Sequence, residues 1–116
     1  MSLKIDSYRH GRIEVDGKTY EQDIVIVGNR VLLCYQSYKR KHRLNRAYIE
    51  RLLSFEPEIL IIGLGAGSNL GLTRKAFALL GESGVEWHVR PTKGAAKLYN
   101  KLRREKRVVA VLHLTS

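Results

Sequence analysis

The chain is poor in several features that define whole classes of protein. It has one cysteine among its 116 residues, Cys34, which excludes an internal disulfide and fits a reducing cytoplasm. Its uninterrupted apolar runs are only a few residues long, so no segment is predicted to span a membrane. No stretch is rich in proline or serine, so no linker is predicted, and we expect a single domain over residues 1–116.

The patterns of familiar catalytic and metal sites are also missing. The four histidines have no ligand spacing, so neither a metal nor another cofactor is predicted. No Ser/His/Asp or Cys/His constellation follows from spacing, so no catalytic residue is assigned and the chain is not expected to be an enzyme. His113 is predicted to be a core or interface histidine, and Asp23 to cap a neighbouring turn. The first residues lack the layout of a signal or transit peptide, so a cytoplasmic protein is expected.

Acidic residues are few, and the resulting charge is unevenly placed. The chain has 11 Asp and Glu against 21 Lys and Arg, for a net charge of +10. Residues 39–46 carry +5 and residues 90–107 carry +7, so the remainder sums to −2. The two segments would form one cationic patch for polyanions or acidic proteins if they met, and would otherwise only solvate helix faces. The predicted patch comprises Lys39, Arg40, Lys41, Arg43, Lys97, Lys101 and Arg104.

Hydrophobic periodicity divides the chain into a strand-rich first third and an alternating second half. Strands are predicted over residues 3–8, 12–15, 23–27 and 30–35, with turns at Asp16-Gly17 and Gly28-Asn29. Apolar residues at helical spacing predict helices over 44–55, 72–80 and 92–102, the last with Thr92 as its N-cap. Apolar runs at 58–62, 85–89 and 107–114 predict buried strands between them, which makes the fold α/β.

A glycine-rich turn is the sharpest local feature. Gly63, Gly65 and Gly67 follow a buried strand and precede a helical pattern. Such a turn presents backbone N–H groups which, with a helix dipole, can bind an anion. It does not match the dinucleotide fingerprint, because Ser68 replaces the third glycine and Arg90 stands where an acid is expected. A turn that only packs a strand against a helix is the alternative.

A second predicted helix start supports an anion site. If the strands ending at Ile62 and Val89 are parallel, the glycine-rich turn and Thr92 flank one crevice at the same edge of the sheet. A phosphate-containing small molecule would then be held there. The predicted ligand or anion site comprises Gly63, Gly65, Gly67, Ser68, Asn69, Arg90, Thr92 and Lys93.

An ordered set of motifs extends over nearly the whole chain. They are Tyr8 and Gly11 with Ile13 and Val15, Tyr20 with residues 23–26, residues 57–65, Gly84-Val85, Thr92, Ala95-Ala96, Tyr99-Asn100 with Leu102, and residues 107–115. In this order the chain resembles the family called domain of unknown function 498, which includes the mitochondrial complex I assembly factor 3 proteins. The resemblance implies a three-layer β+α/β/α fold, with an N-terminal antiparallel β region and a central mixed sheet whose last strand is antiparallel to the others.

The resemblance supplies no reaction, and three functions stay open. The mitochondrial members act as partners of other proteins in assembling complex I, which favours a non-enzymatic binding or assembly module with a protein partner. The glycine-rich turn favours binding of a small anion or nucleotide phosphate. The two basic segments favour binding of nucleic acid, with an affinity that falls steeply with salt.

Overall fold

A computed structural model of the chain describes residues 3–33, 43–65 and 71–114. These residues form strands and helices in the order β1 (Ile5–Arg9), β2 (Arg12–Val15), β3 (Lys18–Tyr20), β4 (Ile24–Val27), β5 (Arg30–Leu33), β6 (Arg43–Leu44), α1 (Arg46–Leu53), β7 (Ile59–Gly63), β8 (Gly71–Leu72), α2 (Arg74–Glu82), β9 (Glu86–Arg90), α3 (Thr92–Leu102) and β10 (Val108–Leu112). None of these helices is long and apolar enough to cross a bilayer.

The central sheet is mixed and has the strand order β5-β4-β10-β7-β9. Strands β10, β7 and β9 are parallel, whereas β4 is antiparallel to both of its neighbours. This confirms an α/β fold with a mixed central sheet. The expectation that the last strand is antiparallel to the others is wrong, because β10 returns from β9 through α3, and such a helical crossover connects parallel strands.

Two further layers cover the central sheet. Apolar residues of β7 alternate between them: Ile59 and Ile61 face the side of α3, and Leu60 and Ile62 face the side of α1 and α2. The antiparallel sheet β1-β2-β3 lies on the α3 side, where Ile5, Ile13 and Val15 join the core. The predicted N-terminal antiparallel region is therefore present, and the layers are β+α/β/α.

Local sequence signals explain how several elements begin and end. Asp16 and Gly17 both have positive φ, +48° and +81°, and form the predicted turn between β2 and β3. Helix α1 is capped by Asn45, whose side chain accepts a hydrogen bond from the Tyr48 N–H at 2.9 Å. Leu44, where the apolar pattern predicts the start of this helix, is in β6 instead.

The second helix begins later than its apolar pattern indicates. The pattern starts at Leu72, but Gly71 and Leu72 form β8, which pairs in parallel with β6. The Thr73 N–H continues this pairing by donating to the Leu44 carbonyl at 3.0 Å. The Thr73 hydroxyl then caps α2, which begins at Arg74. The short β6–β8 pair therefore replaces the first predicted helical turn.

Candidate functional site

Three parallel strands end at one edge of the central sheet, which is where α/β proteins hold ligands. Gly63 at the end of β7 pairs with Leu112 of β10 on one side and with Arg90 of β9 on the other. The chain then continues from these strands into Leu64, Pro91 and His113. The predicted proximity of the glycine-rich turn and the start of α3 therefore rests on an observed parallel pairing. We call this region the carboxyl edge.

Thr92 is the central side chain of the carboxyl edge, and it is completely buried. Its hydroxyl accepts a hydrogen bond from the Gly65 N–H at 2.7 Å and donates to the His113 carbonyl at 2.6 Å. Its own N–H donates to the Gly65 carbonyl at 3.1 Å. The prediction that Thr92 caps α3 is wrong, because Pro91 is the N-cap residue and the Thr92 hydroxyl bonds to neighbouring segments instead.

The two described glycines of the turn allow this close approach. A Cβ atom on Gly63 would lie 2.9 Å from Thr92 Oγ1 and 3.2 Å from Thr92 Cα, so only glycine fits there without a shift. Gly65 has φ +96°, a conformation that L side chains rarely adopt. Leu64 donates its N–H to the Arg90 carbonyl at 2.9 Å. The N–H groups of Leu64 and Gly65 are therefore bonded inside the protein.

Asp23 and His113 form a buried pair at the same edge. Asp23 Oδ2 lies 2.6 Å from His113 Nδ1, and Asp23 Oδ1 accepts from the Leu114 N–H at 2.9 Å. Each residue is only 5% exposed. His113 is buried as predicted, and Asp23 bonds to it and to the backbone beyond it. Asp23 joins the start of β4 to the end of β10.

The pair has the composition of a catalytic dyad, an imidazole held by a carboxylate. His113 Nε2 is buried and has no hydrogen-bond partner among the described residues. The nearby Thr92 hydroxyl bonds to the His113 backbone, not to its ring. Through the Asp23 bonds to the His113 ring and to the Leu114 N–H, the pair holds the start of β4 against the end of β10.

Sequence reasoning missed this pair, although a signal for it is present. Asp23 directly precedes one apolar strand and His113 directly follows another. Because β4 and β10 are antiparallel neighbours, with Ile24 opposite Leu112, these flanking residues meet. The pairing of the two strands, which periodicity does not reveal, is the missing information.

Tyr8 reaches the same region from β1. Its hydroxyl donates to the Leu114 carbonyl at 3.2 Å, and the Gly11 N–H donates to that carbonyl at 2.7 Å. Burial raises the pKa of the Tyr8 hydroxyl above its usual value, and the negative charge of Asp23 raises it further. Tyr8 is therefore held in its neutral, donating form.

Metal ligands do not gather at this edge or elsewhere in the described ranges. Within residues 3–33, 43–65 and 71–114, no group of three His, Cys, Asp or Glu side chains could hold an ion.

Comparison with known proteins decides the family. The model of a family described as "Protein of unknown function (DUF498/DUF598)" matches residues 5–113. The chain belongs to this family. No curated protein matches it.

Solved structures agree with this assignment to the DUF498/DUF598 family. The conserved hypothetical protein PH1505 from Pyrococcus horikoshii OT3 is 32% identical, with a TM-score of 0.86 over 97% of this chain and 99% of that chain. The protein MT938 is 28% identical, with a TM-score of 0.82 over 99% and 100%. A Mth938-like domain from Bordetella pertussis is 20% identical, with a TM-score of 0.66 over 97% and 85%. At that identity the last likeness concerns the fold alone.

In this DUF498/DUF598 protein the predicted anion site is only partly described. Arg90 and Lys93 are exposed beside the buried Thr92. Gly67, Ser68 and Asn69 lie outside the described residues. Helix α2 begins at Arg74, so the turn does not lead directly into a helix as the crevice hypothesis assumed.

The predicted basic patch is only partly described. Lys97, Lys101 and Arg104 are all exposed, the first two on α3 and Arg104 just beyond its end. Arg43 is in β6, whose neighbouring residue Leu44 packs in the core on the α1 and α2 side. Lys39, Arg40 and Lys41 lie outside the described residues.

Proposed function

We propose that this DUF498/DUF598 protein is a non-enzymatic binding module that docks on another protein. The observation that carries the proposal is the contrast between its carboxyl edge and its outer surface. At the edge, the buried Thr92 hydroxyl and the Gly65 N–H bond to each other, so these groups are not offered to a small ligand. Elsewhere, β1 and β9 each have one strand neighbour among the described residues, and such an edge is a place where the backbone of another chain can pair.

The charge of the chain favours an acidic partner. Its net charge is +10, and residues 90–107, which include α3, carry +7 of it. Complementary charge speeds association and excludes wrong partners. The resemblance to complex I assembly factor 3 proteins, which act through protein partners, supports the same role. Cys34, the one cysteine, supports a reducing compartment such as the cytoplasm.

Reconstitution of a complex tests the proposal. The tagged chain is used to isolate partners from its source organism, and the retained protein is then purified and recombined with the chain. We expect a defined stoichiometry and a Kd of about 1 μM or tighter, which is about −8 kcal/mol. Failure of every retained protein to re-form a complex from pure components would overturn the docking function.

Thermal unfolding with inorganic phosphate and nucleotides tests the anion alternative. A ligand at 100 times its Kd adds about 2.7 kcal/mol, so binding would raise the Tm clearly. Arg90→Ala and Lys93→Ala are the probing variants, because both side chains are exposed. Gly65 is unsuitable, since its positive φ makes a larger residue disrupt the fold. A Tm rise that these variants abolish would favour a phosphate ligand over a docking module.

A further inference from the structure

Strand β1 has an open edge that faces a helix. Among the described residues, β2 is the only strand that pairs with β1, so the outer edge of β1 has no strand partner there. Helix α3 lies along that edge, and the two elements enclose a groove of about 300 Å³. Ser7 and Tyr8 line the groove from β1, and Lys93, Ala96 and Lys97 line it from α3.

Asn100 closes one end of the groove by imitating a strand. Its side-chain oxygen accepts from the Ile5 N–H at 2.9 Å, and its side-chain nitrogen donates to the Ile5 carbonyl at 2.8 Å. These two opposed bonds to one residue are those that the backbone of a neighbouring antiparallel strand would make. The edge of β1 is therefore oriented to accept an amide from the side of α3, and it does so at Ile5.

On the α3 side, the groove is lined by two lysines with a small residue, Ala96, between them. Lys93 and Lys97 are exposed and stand one helical turn apart along α3. Asp6 also lines the groove, but its carboxylate accepts from the Gly17 N–H at 2.7 Å, in the turn between β2 and β3. Ala96 leaves room between the two lysines, and it is nearly buried at 6% exposure.

We propose that this groove binds an extended, acidic segment of the partner protein as an added strand beside β1. The inference rests on the proposed docking function and names its site and ligand class. Main-chain hydrogen bonds to the edge of β1 supply affinity, as in other complexes formed by strand addition. Alternate side chains of the segment point toward Lys93 and Lys97, which select carboxylates. Asn100 sets one end of the added strand.

A peptide selection tests the groove even while the partner is unidentified. A random decapeptide library displayed on phage is panned against the full chain. We expect enrichment of peptides with Asp or Glu at alternate positions. The variant Lys93→Glu/Lys97→Glu should weaken their binding by about tenfold or more, because attraction becomes repulsion at two positions. Enrichment of no peptide, or of basic peptides, would overturn the proposal.

A matched variant distinguishes binding at the groove from attraction by the net charge of the chain. Arg74→Glu/Lys75→Glu changes the charge of the chain by the same amount, at exposed positions of α2 on the other side of the central sheet. We expect it to change peptide affinity by less than about threefold, the remainder of long-range attraction. Equal losses in the two double variants would show binding by net charge alone, as a nucleic acid would bind, and would overturn the groove.

Backbone methylation of a selected peptide tests strand addition itself. Successive N–H groups of a strand point to opposite sides, so only alternate ones can reach β1. N-methylation at one set of alternate positions should abolish binding, while methylation at the other set should leave it within about threefold. Equal effects of the two sets would overturn strand addition.

The reconstituted partner distinguishes this inference from the docking function. A partner that loses affinity for Lys93→Glu/Lys97→Glu but not for the α2 variant supports both. If the partner binds both variants as tightly as it binds the wild type, it docks at another surface. That result overturns the groove proposal but not the docking function. If no complex re-forms, docking fails, and the peptide selection alone decides the groove.

Discussion

Helix α3 carries two polar side chains that bond to the backbone of other elements, and their surroundings differ. Thr92, at its first turn, is fully buried and joins Gly65 to His113 at the carboxyl edge. Asn100, near its end, bonds to Ile5 at the border of an open groove. The Thr92 hydroxyl joins two other segments through bonds that are buried in the protein. The Asn100 amide bonds to one residue of the β1 edge, Ile5, and the rest of that edge extends along the groove.

The difference shows that backbone N–H groups at the usual position of a ligand site in an α/β fold can bond to the protein's own groups. At the carboxyl edge, the N–H groups of Leu64 and Gly65 are bonded to the Arg90 carbonyl and to the Thr92 hydroxyl. At the groove, the cations Lys93 and Lys97 are exposed beside an edge strand. These exposed cations beside an edge strand are the reason why the proposed docking site is placed along β1.

Removal of the Asp23 carboxylate should have the largest effect. Asp23→Ala leaves His113 Nδ1 and the Leu114 N–H without their partner in a buried region. We expect the free energy of unfolding to fall by about 3–5 kcal/mol. Urea denaturation measures it, with the exposed Glu21→Ala as a control that should change stability by less than about 0.5 kcal/mol. A loss below about 1 kcal/mol would mean that this pair does not hold the edge together.

Removal of the Thr92 hydroxyl should have the next largest effect. Thr92→Val keeps the shape but leaves the Gly65 N–H and the His113 carbonyl unsatisfied. We expect a loss of about 2–4 kcal/mol in the free energy of unfolding, measured in urea. Thr92→Ser retains the hydroxyl and should cost only about 1 kcal/mol for the missing methyl. Equal losses in the two variants would show that packing, not hydrogen bonding, closes the edge.

Alkaline pH should lower the stability of the protein through Tyr99, a core residue of α3. Burial raises the pKa of Tyr99 from 10.0 to about 12, with Arg103 lowering it and Asp16 raising it by smaller amounts. The hydroxyl of Tyr99 loses its proton at a lower pH in the unfolded chain than in the folded one. The contribution of Tyr99 to the free energy of unfolding is therefore fully present below pH 10 and is lost as the pH rises from 10 to 12. The expected loss is about 2–3 kcal/mol.

Tyr99→Phe provides the comparison for this pH dependence. The variant lacks the ionising hydroxyl, so its stability should fall less steeply over the same range than that of the wild type. The difference in phenolate absorbance between the two proteins gives the ionisation of Tyr99 alone. Identical slopes of stability against pH would contradict the assigned shift.

Loss of the Asn100 amide should have the smallest effect on stability. Asn100→Ala removes both bonds to Ile5, but this part of the edge is only half-buried, so water can replace them. We expect a loss of about 1–2 kcal/mol in urea denaturation, against less than about 0.5 kcal/mol for the neighbouring exposed Lys101→Ala. A loss as large as that of Thr92→Val would remove the distinction between the closed edge and the open groove.

Much of the fold follows from local sequence patterns, and the exceptions share a cause. The Asp16-Gly17 turn, the buried strand β7 and the helical pattern of α3 are encoded by neighbouring residues and are predicted from them. The β6–β8 pair, the parallel pairing of β10 with β7 and the Asp23–His113 contact join distant segments. Periodicity describes which face a residue presents, but not which segment meets it.

The candidate sites show the same limit. The sequence marks Gly63 as special, but its reason, the approach of Thr92 Oγ1, becomes visible only with the start of α3 beside it. The sequence likewise assigns Lys97 to a basic patch and Lys93 to an anion site. The structure shows that Lys93 and Lys97 lie across from the edge of β1. Their position depends on how the N-terminal sheet packs on α3, which no local sequence pattern encodes.

The bonds between Asn100 and Ile5, and between Asp23 and His113, have a consequence for synthesis on the ribosome. Their partners are 95 and 90 residues apart, so the first strands leave the exit tunnel long before the segments that pair with them. At about 5–20 residues per second, the wait is on the order of 5–20 seconds. During that time the apolar residues of β1 and β2 lack the helix α3 that covers them, and β4 lacks its neighbour β10. The nascent chain is therefore most exposed to wrong pairing before its last strand is made.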